Sequence, residues 1–141
     1  THLGIRFPHR GRRDVHAPGY YLHIEPGASF LGIGVWKPSG DTLRRIRDGI
    51  VADPDGWRLA VGDTGFRDRF EIGGSSLKRA PRGYDADHPL IDDLRRKDFI
   101  GFATWRRKDI LAGDLIPRVA ADLQSGTPFM RRLCGYIDVD F

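Results

Sequence analysis

Apolar and polar positions first alternate along the chain, then switch to helical spacing. Leu3 to Phe7 reads as a strand at the very start. Residues 8–18, PHRGRRDVHAP, carry Pro at both ends and Gly11 between, which predicts a loop. Tyr20 to Glu25 and Ser29 to Trp36 then read as two strands around Pro26-Gly27, a β-hairpin. In the second strand Leu31, Ile33 and Val35 face one side, and Gly32 and Gly34 face the other. A face lined by glycine admits close approach of a backbone, a helix or a ligand.

Helical spacing begins after this hairpin. Asp41 is the expected N-cap of a helix reaching about Ala52, with Leu43, Ile46, Ile50 and Val51 as its apolar stripe. Arg47 falls in the middle of that stripe, where a charge is costly unless paired. It is therefore expected to be buried, with its guanidinium held by a carboxylate, a carbonyl or an anion. A short helix from Pro54 to Val61 follows, then a strand within Phe66 to Gly73. Leu77 to His88 has no clean period and predicts a long loop. Pro89 suits the start of a helix ending near Lys97, and its acidic residues precede its basic ones, as the helix dipole favours. Asp98 to Arg106 reads as a buried strand, and helices are expected over Leu115 to Leu123 and from Thr127 to Cys134. This mixture predicts an α+β fold: a mixed, largely antiparallel sheet with helices packed against it. The 141 residues fit a single domain, 1–141. The chain begins inside a strand and without Met, which predicts that an N-terminal portion of the domain is missing.

Composition narrows the setting. Apolar residues make up 40 %, and the 18 glycines bring the chain into the globular range, which argues against global disorder. No run approaches the roughly 18 apolar residues of a membrane span, so no membrane partner is expected. Cys134 stands alone and cannot form an intramolecular disulfide, and no secretory signal opens the chain. Both favour the cytoplasm. The net charge of +4 comes from clustered basic residues: 10, 12 and 13; 78, 79 and 82; 95–97; and 106–108. These suit an anionic partner or, equally simply, solvated faces.

Familiar catalytic and cofactor motifs are absent. No glycine-rich phosphate loop follows a strand, no nucleophile elbow is present, and no cofactor is indicated. His2, His9 and His16 are spaced by seven, but Pro8, Gly11 and Pro18 forbid the helix that would align them, and no metal site is assigned. The informative segment is Leu77 to Pro89. It gathers Lys78, Arg79, Arg82, Tyr84, Asp85 and His88 before a helix N-terminus, where an anion is favoured. In the structural alternative each residue acts locally. Asp85 or Asp87 closes an Asx turn, His88 caps the helix and Tyr84 packs.

The same segment, Leu-Lys-Arg-x-Pro-x-Gly-Tyr-Asp-x-x-His-Pro followed by Leu94-Arg95-Arg96-Lys97-Asp98-Phe99, resembles the bacterial and fungal proteins grouped as domain of unknown function 2461. Gly19-Tyr20-Tyr21 to Trp36-x-Pro38 and Leu43 to Arg47 are similar to upstream landmarks of that family. The resemblance implies no activity and no catalytic residues. The family's Arg/Asp and Lys/Tyr motif, which lies just upstream of Thr1-His2, is absent here. Three functional readings follow. The first is binding of a small anionic ligand, with or without catalysis, by the Lys78–His88 loop, Arg47 and the face of Gly32 and Gly34. The second is a nucleic-acid interface using the Arg clusters. The third is a protein-interaction or structural module. The first reading requires Lys78 and Tyr84 to lie beside Gly32 and Gly34.

Overall fold

The structure, a computed structural model, describes residues 3–7 and 17–141. The three spaced histidines and most of the first loop lie outside the described residues. Strands β1 (Leu3–Phe7), β2 (Gly19–Ile24), β3 (Ser29–Val35), β4 (Glu71–Gly73) and β5 (Phe99–Trp105) form one sheet in the order β1-β2-β3-β5-β4. Every neighbouring pair is antiparallel. Helices α1 (Gly40–Ala52), α2 (Pro54–Gly62), α3 (Thr64–Arg69), α4 (Ile91–Leu94), α5 (Arg107–Leu111), α6 (Leu115–Ser125) and α7 (Thr127–Tyr136) complete the described elements. The fold class is α+β. None of the described helices is long and apolar enough to cross a membrane.

The core lies on one face of the sheet. Leu22, Leu31, Ile33, Val35, Phe99 and Ala103 point inward from the strands. They meet Ile46 and Ile50 of α1, Trp57 of α2, Phe66 of α3, and Phe129, Met130 and Leu133 of α7. Burying each such side chain contributes roughly 1.5–3 kcal/mol. Aromatic contacts fix the layer's geometry: Phe66 stacks on Phe129 at 4.9 Å, and Trp57 meets Phe99 edge-on at 5.9 Å. The Trp57 indole Nε1 donates to Asp93 Oδ2 at 2.9 Å, so this ring is buried with its polar atom satisfied.

Four local expectations are corrected. Ser39, not Asp41, caps α1: its side chain accepts from the Thr42 N–H at 3.2 Å, while Asp41 lies in the first turn and pairs with Arg45. The strand expected within Phe66 to Gly73 is only Glu71–Gly73, because Asp63 caps a helix that begins before Phe66. Phe66 and Phe70, four residues apart, stack at 5.5 Å, a spacing that fits a helical turn as well as a strand. The helix expected from Pro89 to Lys97 is reduced to Ile91–Leu94. Turns precede it, and afterwards Arg96 bridges to Ser76, with Leu77 N–H donating to the Arg95 carbonyl at 2.7 Å. Helix α5 lies in a segment where the sequence predicts no element.

Arg47 is 8 % exposed. Its Nε donates to the Leu94 carbonyl at 2.7 Å and its Nη2 to the Arg96 carbonyl at 3.0 Å. These acceptors sit at and just beyond the C-terminal end of α4, where carbonyls lack partners within the helix. The buried charge thus joins α1 to the α4 region, and the expectation of a carbonyl partner is met. Replacing Arg47 with Met should keep the apolar stem and leave both carbonyls unpaired, at a cost of roughly 2–4 kcal/mol. Urea denaturation checks this; a loss below about 0.5 kcal/mol would contradict it.

Candidate functional site

The sheet's second face faces away from the core, and its residues follow from strand register. Cross-strand partners share a face, so three rows can be read across it. The first row is Gly4, His23, Phe30 and Thr104. The second is Arg6, Tyr21, Gly32, Phe102 and Glu71. The third is Gly19, Gly34, Ile100 and Gly73. Rings gather in the first two rows and glycines in the third, on a face away from the aliphatic core.

The second and third rows form a trough of about 470 Å³. Gly19, Gly32, Gly34 and Ile100 line it together with the aromatic rings of Tyr21, Phe30, Phe102 and Trp36. Arg6 and Lys37 also line it. The rings make a connected system. Trp36 meets Phe102 edge-on at 6.3 Å, Phe102 meets Phe30 edge-on at 5.5 Å, and Phe30 lies 6.1 Å from Tyr21. His23 stacks on Phe30 at 5.0 Å and pairs with Glu25 through Nε2 at 2.8 Å.

Glycines make room for these rings. A Cβ on Gly4 would lie 2.7 Å from the Tyr21 hydroxyl oxygen, so Tyr21 leans across β1. A Cβ on Gly73 would lie 2.9 Å from the Phe102 ring, so that ring reaches over β4. Gly34 is required by the backbone itself: its φ is 123°, and a Cβ there would collide with the Phe99 carbonyl oxygen. At Gly32 a Cβ would make ordinary contact with Ile100 at 3.6 Å.

One buried carboxylate fixes the end of the trough. Asp98 is 5 % exposed. Its Oδ1 accepts from the Lys37 N–H at 2.8 Å, and its Oδ2 accepts from the Ser75 N–H at 3.1 Å and the Ser75 hydroxyl at 3.2 Å. Asp98 therefore ties the chain leaving β3 to the chain leaving β4. Lys37 has a φ of 47°, an uncommon state for a residue with a side chain, and the Asp98 bond holds it there. Trp36 is carried on the same corner and is 52 % exposed.

The Lys78–His88 loop lies elsewhere. The Tyr84 hydroxyl donates to Asp48 Oδ1 at 2.5 Å, on α1, and Tyr84 packs against the core that holds Leu31, Ile33 and Val35. Those side chains point away from Gly32 and Gly34, so the loop and the glycine face are on opposite sides of the sheet. Neither Lys78 nor Tyr84 lines the trough. The two halves of the site expected from sequence do not meet. Arg47 belongs with the loop, beside Tyr84. Lys78, Arg79, Arg82 and Asp85 are exposed.

Two of the loop's polar groups, Asp85 and His88, serve its own turns. Asp85 Oδ1 accepts from the Asp87 N–H at 2.9 Å, an Asx turn, and His88 Nδ1 accepts from the Leu90 N–H at 3.0 Å. Burial, and then the hydrogen bond to Asp48, push the Tyr84 hydroxyl up to about 12, so it keeps its proton at neutral pH. Burial lowers Arg47, and the nearby Tyr84 opposes that shift.

Among the described residues, three members of the basic clusters pair with local acids. Arg95 pairs with Asp92, Arg96 with Asp93, and Arg106 with Asp109, each three residues apart. Arg118 bridges Asp109 and Asp114, and Arg69 pairs with the buried Asp122 at 2.6 Å. Among the described residues, no group of three or more His, Cys, Asp or Glu could hold a metal ion.

Sequence reasoning finds Gly32 and Gly34 but misses Arg6, Gly19, Tyr21, Phe30, Trp36, Lys37 and Phe102. The signal is present in part, since Phe30, Gly32 and Gly34 share one parity of β3 and Trp36 follows at the same spacing. Two substitutions separate the glycine roles. Gly34→Ala should cost at least about 2 kcal/mol, while Gly32→Ala should change stability by less than about 1 kcal/mol. Equal effects in urea denaturation would contradict the assignment.

No curated protein matches the chain, and no solved structure matches it. One family model does, over residues 1–131. The chain, with its aromatic trough on one face of the sheet and its braced loop on the other, belongs to the family described as Conserved hypothetical protein (DUF2461).

Proposed function

We propose that the protein binds a small anionic ligand in the trough on the outer face of the sheet. The observation that carries this reading is the lining itself: two cations, Arg6 and Lys37, join four aromatic rings and the glycines. A volume of about 470 Å³ suits a small molecule. The strained backbone at Lys37, held by a buried carboxylate, is the kind of feature found where a side chain is aimed at a ligand. Gly32 and Gly34 keep the role expected of them. Arg47, Tyr84, Asp85 and His88 brace the fold, and Lys78, Arg79 and Arg82 stand on a separate surface. A cytoplasmic setting belongs to the same proposal.

A second reading has one observation in its favour. Aromatic side chains on an open antiparallel sheet are also a stacking platform for single-stranded nucleic acid. It ranks lower because the pairs Arg95–Asp92, Arg96–Asp93 and Arg106–Asp109 reduce the phosphate-attracting field around residues 95–97 and 106–108. The exposed Leu59, Leu111 and Ile116 are the residues a protein-interaction reading would use, and they sit on helices α2, α5 and α6, away from the strand rows.

Calorimetric titration with a panel of phosphate- and carboxylate-bearing metabolites tests the first reading. At least one should bind, and the Arg6→Gln/Lys37→Gln variant should bind it at least tenfold more weakly, about 1.4 kcal/mol, without loss of folding. Raising the salt should weaken binding to the parent chain. Unchanged affinity in the double variant would contradict the proposal. A single-stranded oligonucleotide that binds more tightly than every small anion, with a steep salt dependence, would favour the second reading.

A further inference from the structure

The trough also constrains what the anion is attached to. We infer that its ligand is a planar heteroaromatic ring with a phosphate held a few atoms away, a molecule of nucleoside monophosphate class. The inference rests on the anion-binding reading and adds the ring to it.

Tyr21 and Phe102 flank Gly32 in one cross-strand row. They are two strand spacings apart, about 9–10 Å at the backbone. Aromatic rings in contact have centroids roughly 4.5–7 Å apart. A single ring over Gly32 can therefore touch Tyr21 on one side and Phe102 on the other. Tyr21 leans toward Gly4 and Phe102 extends toward Gly73, and above Gly32 the Ile100 side chain and the edge of Phe102 form the floor of the interval. A branched side chain at position 32 would fill that interval. A bare phosphate or a small aliphatic acid would leave the rings unused.

The cations occupy a different part of the site. Arg6 is on β1, two strands from Gly32, and Lys37 follows β3 three residues beyond Gly34. At backbone level Arg6 is about 10 Å from the ring position, and Lys37, farther along the chain from Gly32, is about 16 Å from it. A ring whose charge is tethered through a sugar-sized spacer matches that layout better than one whose charge is attached directly.

The chain supplies its own reporter. It has three tryptophans, and two are buried: Trp57 is 0 % exposed and Trp105 is 5 %, against 52 % for Trp36. A ligand that occupies the trough must change the emission of Trp36 more than that of the other two.

The experiment titrates the chain with AMP, adenosine and ribose 5-phosphate, following tryptophan emission and heat. AMP should bind at least tenfold more tightly than either fragment and alter emission. Trp36→Leu should abolish the emission change, and Phe102→Leu should lower AMP affinity to that of ribose 5-phosphate while leaving the latter unaltered. If ribose 5-phosphate binds as tightly as AMP, the ring inference is overturned and the anion reading stands. If adenosine binds as tightly as AMP, the phosphate assignment is overturned. If none of the three binds, the inference is overturned, and the wider metabolite panel decides the anion reading. A single-stranded oligonucleotide bound far more tightly than AMP would overturn the small-ligand assignment.

Discussion

The architecture depends on the two-sided character of strand β3. One parity of this central strand supplies Leu31, Ile33 and Val35, each almost completely removed from solvent against the helices. The other parity supplies Phe30, Gly32 and Gly34 on the face away from the core, with Trp36 just beyond the strand's end. A one-residue slip of register would exchange the two sets, placing branched aliphatics in the trough and glycines in the core. The hydrophobic core therefore also specifies the outer surface. Stability and the candidate site are set by the same constraint, although their side chains never share an environment.

Two buried charges fix the positions of the surrounding segments. Arg47 satisfies carbonyls at the end of α4, and Asp98 satisfies backbone donors at the exits of β3 and β4. Neither is paired with an opposite charge through these bonds; both close backbone valences that regular structure leaves open. Their consequences differ. Arg47 steadies the Tyr84 side of the molecule, whereas Asp98 holds the corner that carries Trp36 and Lys37. Tyr84, Asp85 and His88 of the conspicuous loop make hydrogen bonds within the fold, and the proposed binding surface lies on the opposite side of the sheet.

Most of the fold is legible in the sequence because its signals are local. The hairpin around Pro26-Gly27, the glycine parity of β3, the helix ending at Ala52 and the burial of Arg47 all follow from periodicity and turn chemistry. The segment from Phe66 to Phe70 is ambiguous, because two aromatics four apart fit a helical turn while Phe70 and Ile72 alternate like a strand. The composite site fails for a different reason. Polarity alone puts the loop and the glycine strand near one another, and only cross-strand register shows which face each occupies. Arg6 and Lys37 are invisible as a pair because strand order, not chain distance, brings β1 beside the hairpin.

The glycine-aromatic face, and not the Lys78–His88 loop, is where a ligand is proposed to bind. Residue-resolved amide NMR during titration with AMP tests this most directly. The largest shift changes should fall at the amides of Gly19, Gly32 and Gly34 and at the Trp36 indole N–H. Changes concentrated at Arg82, Gly83 and Tyr84 would contradict it.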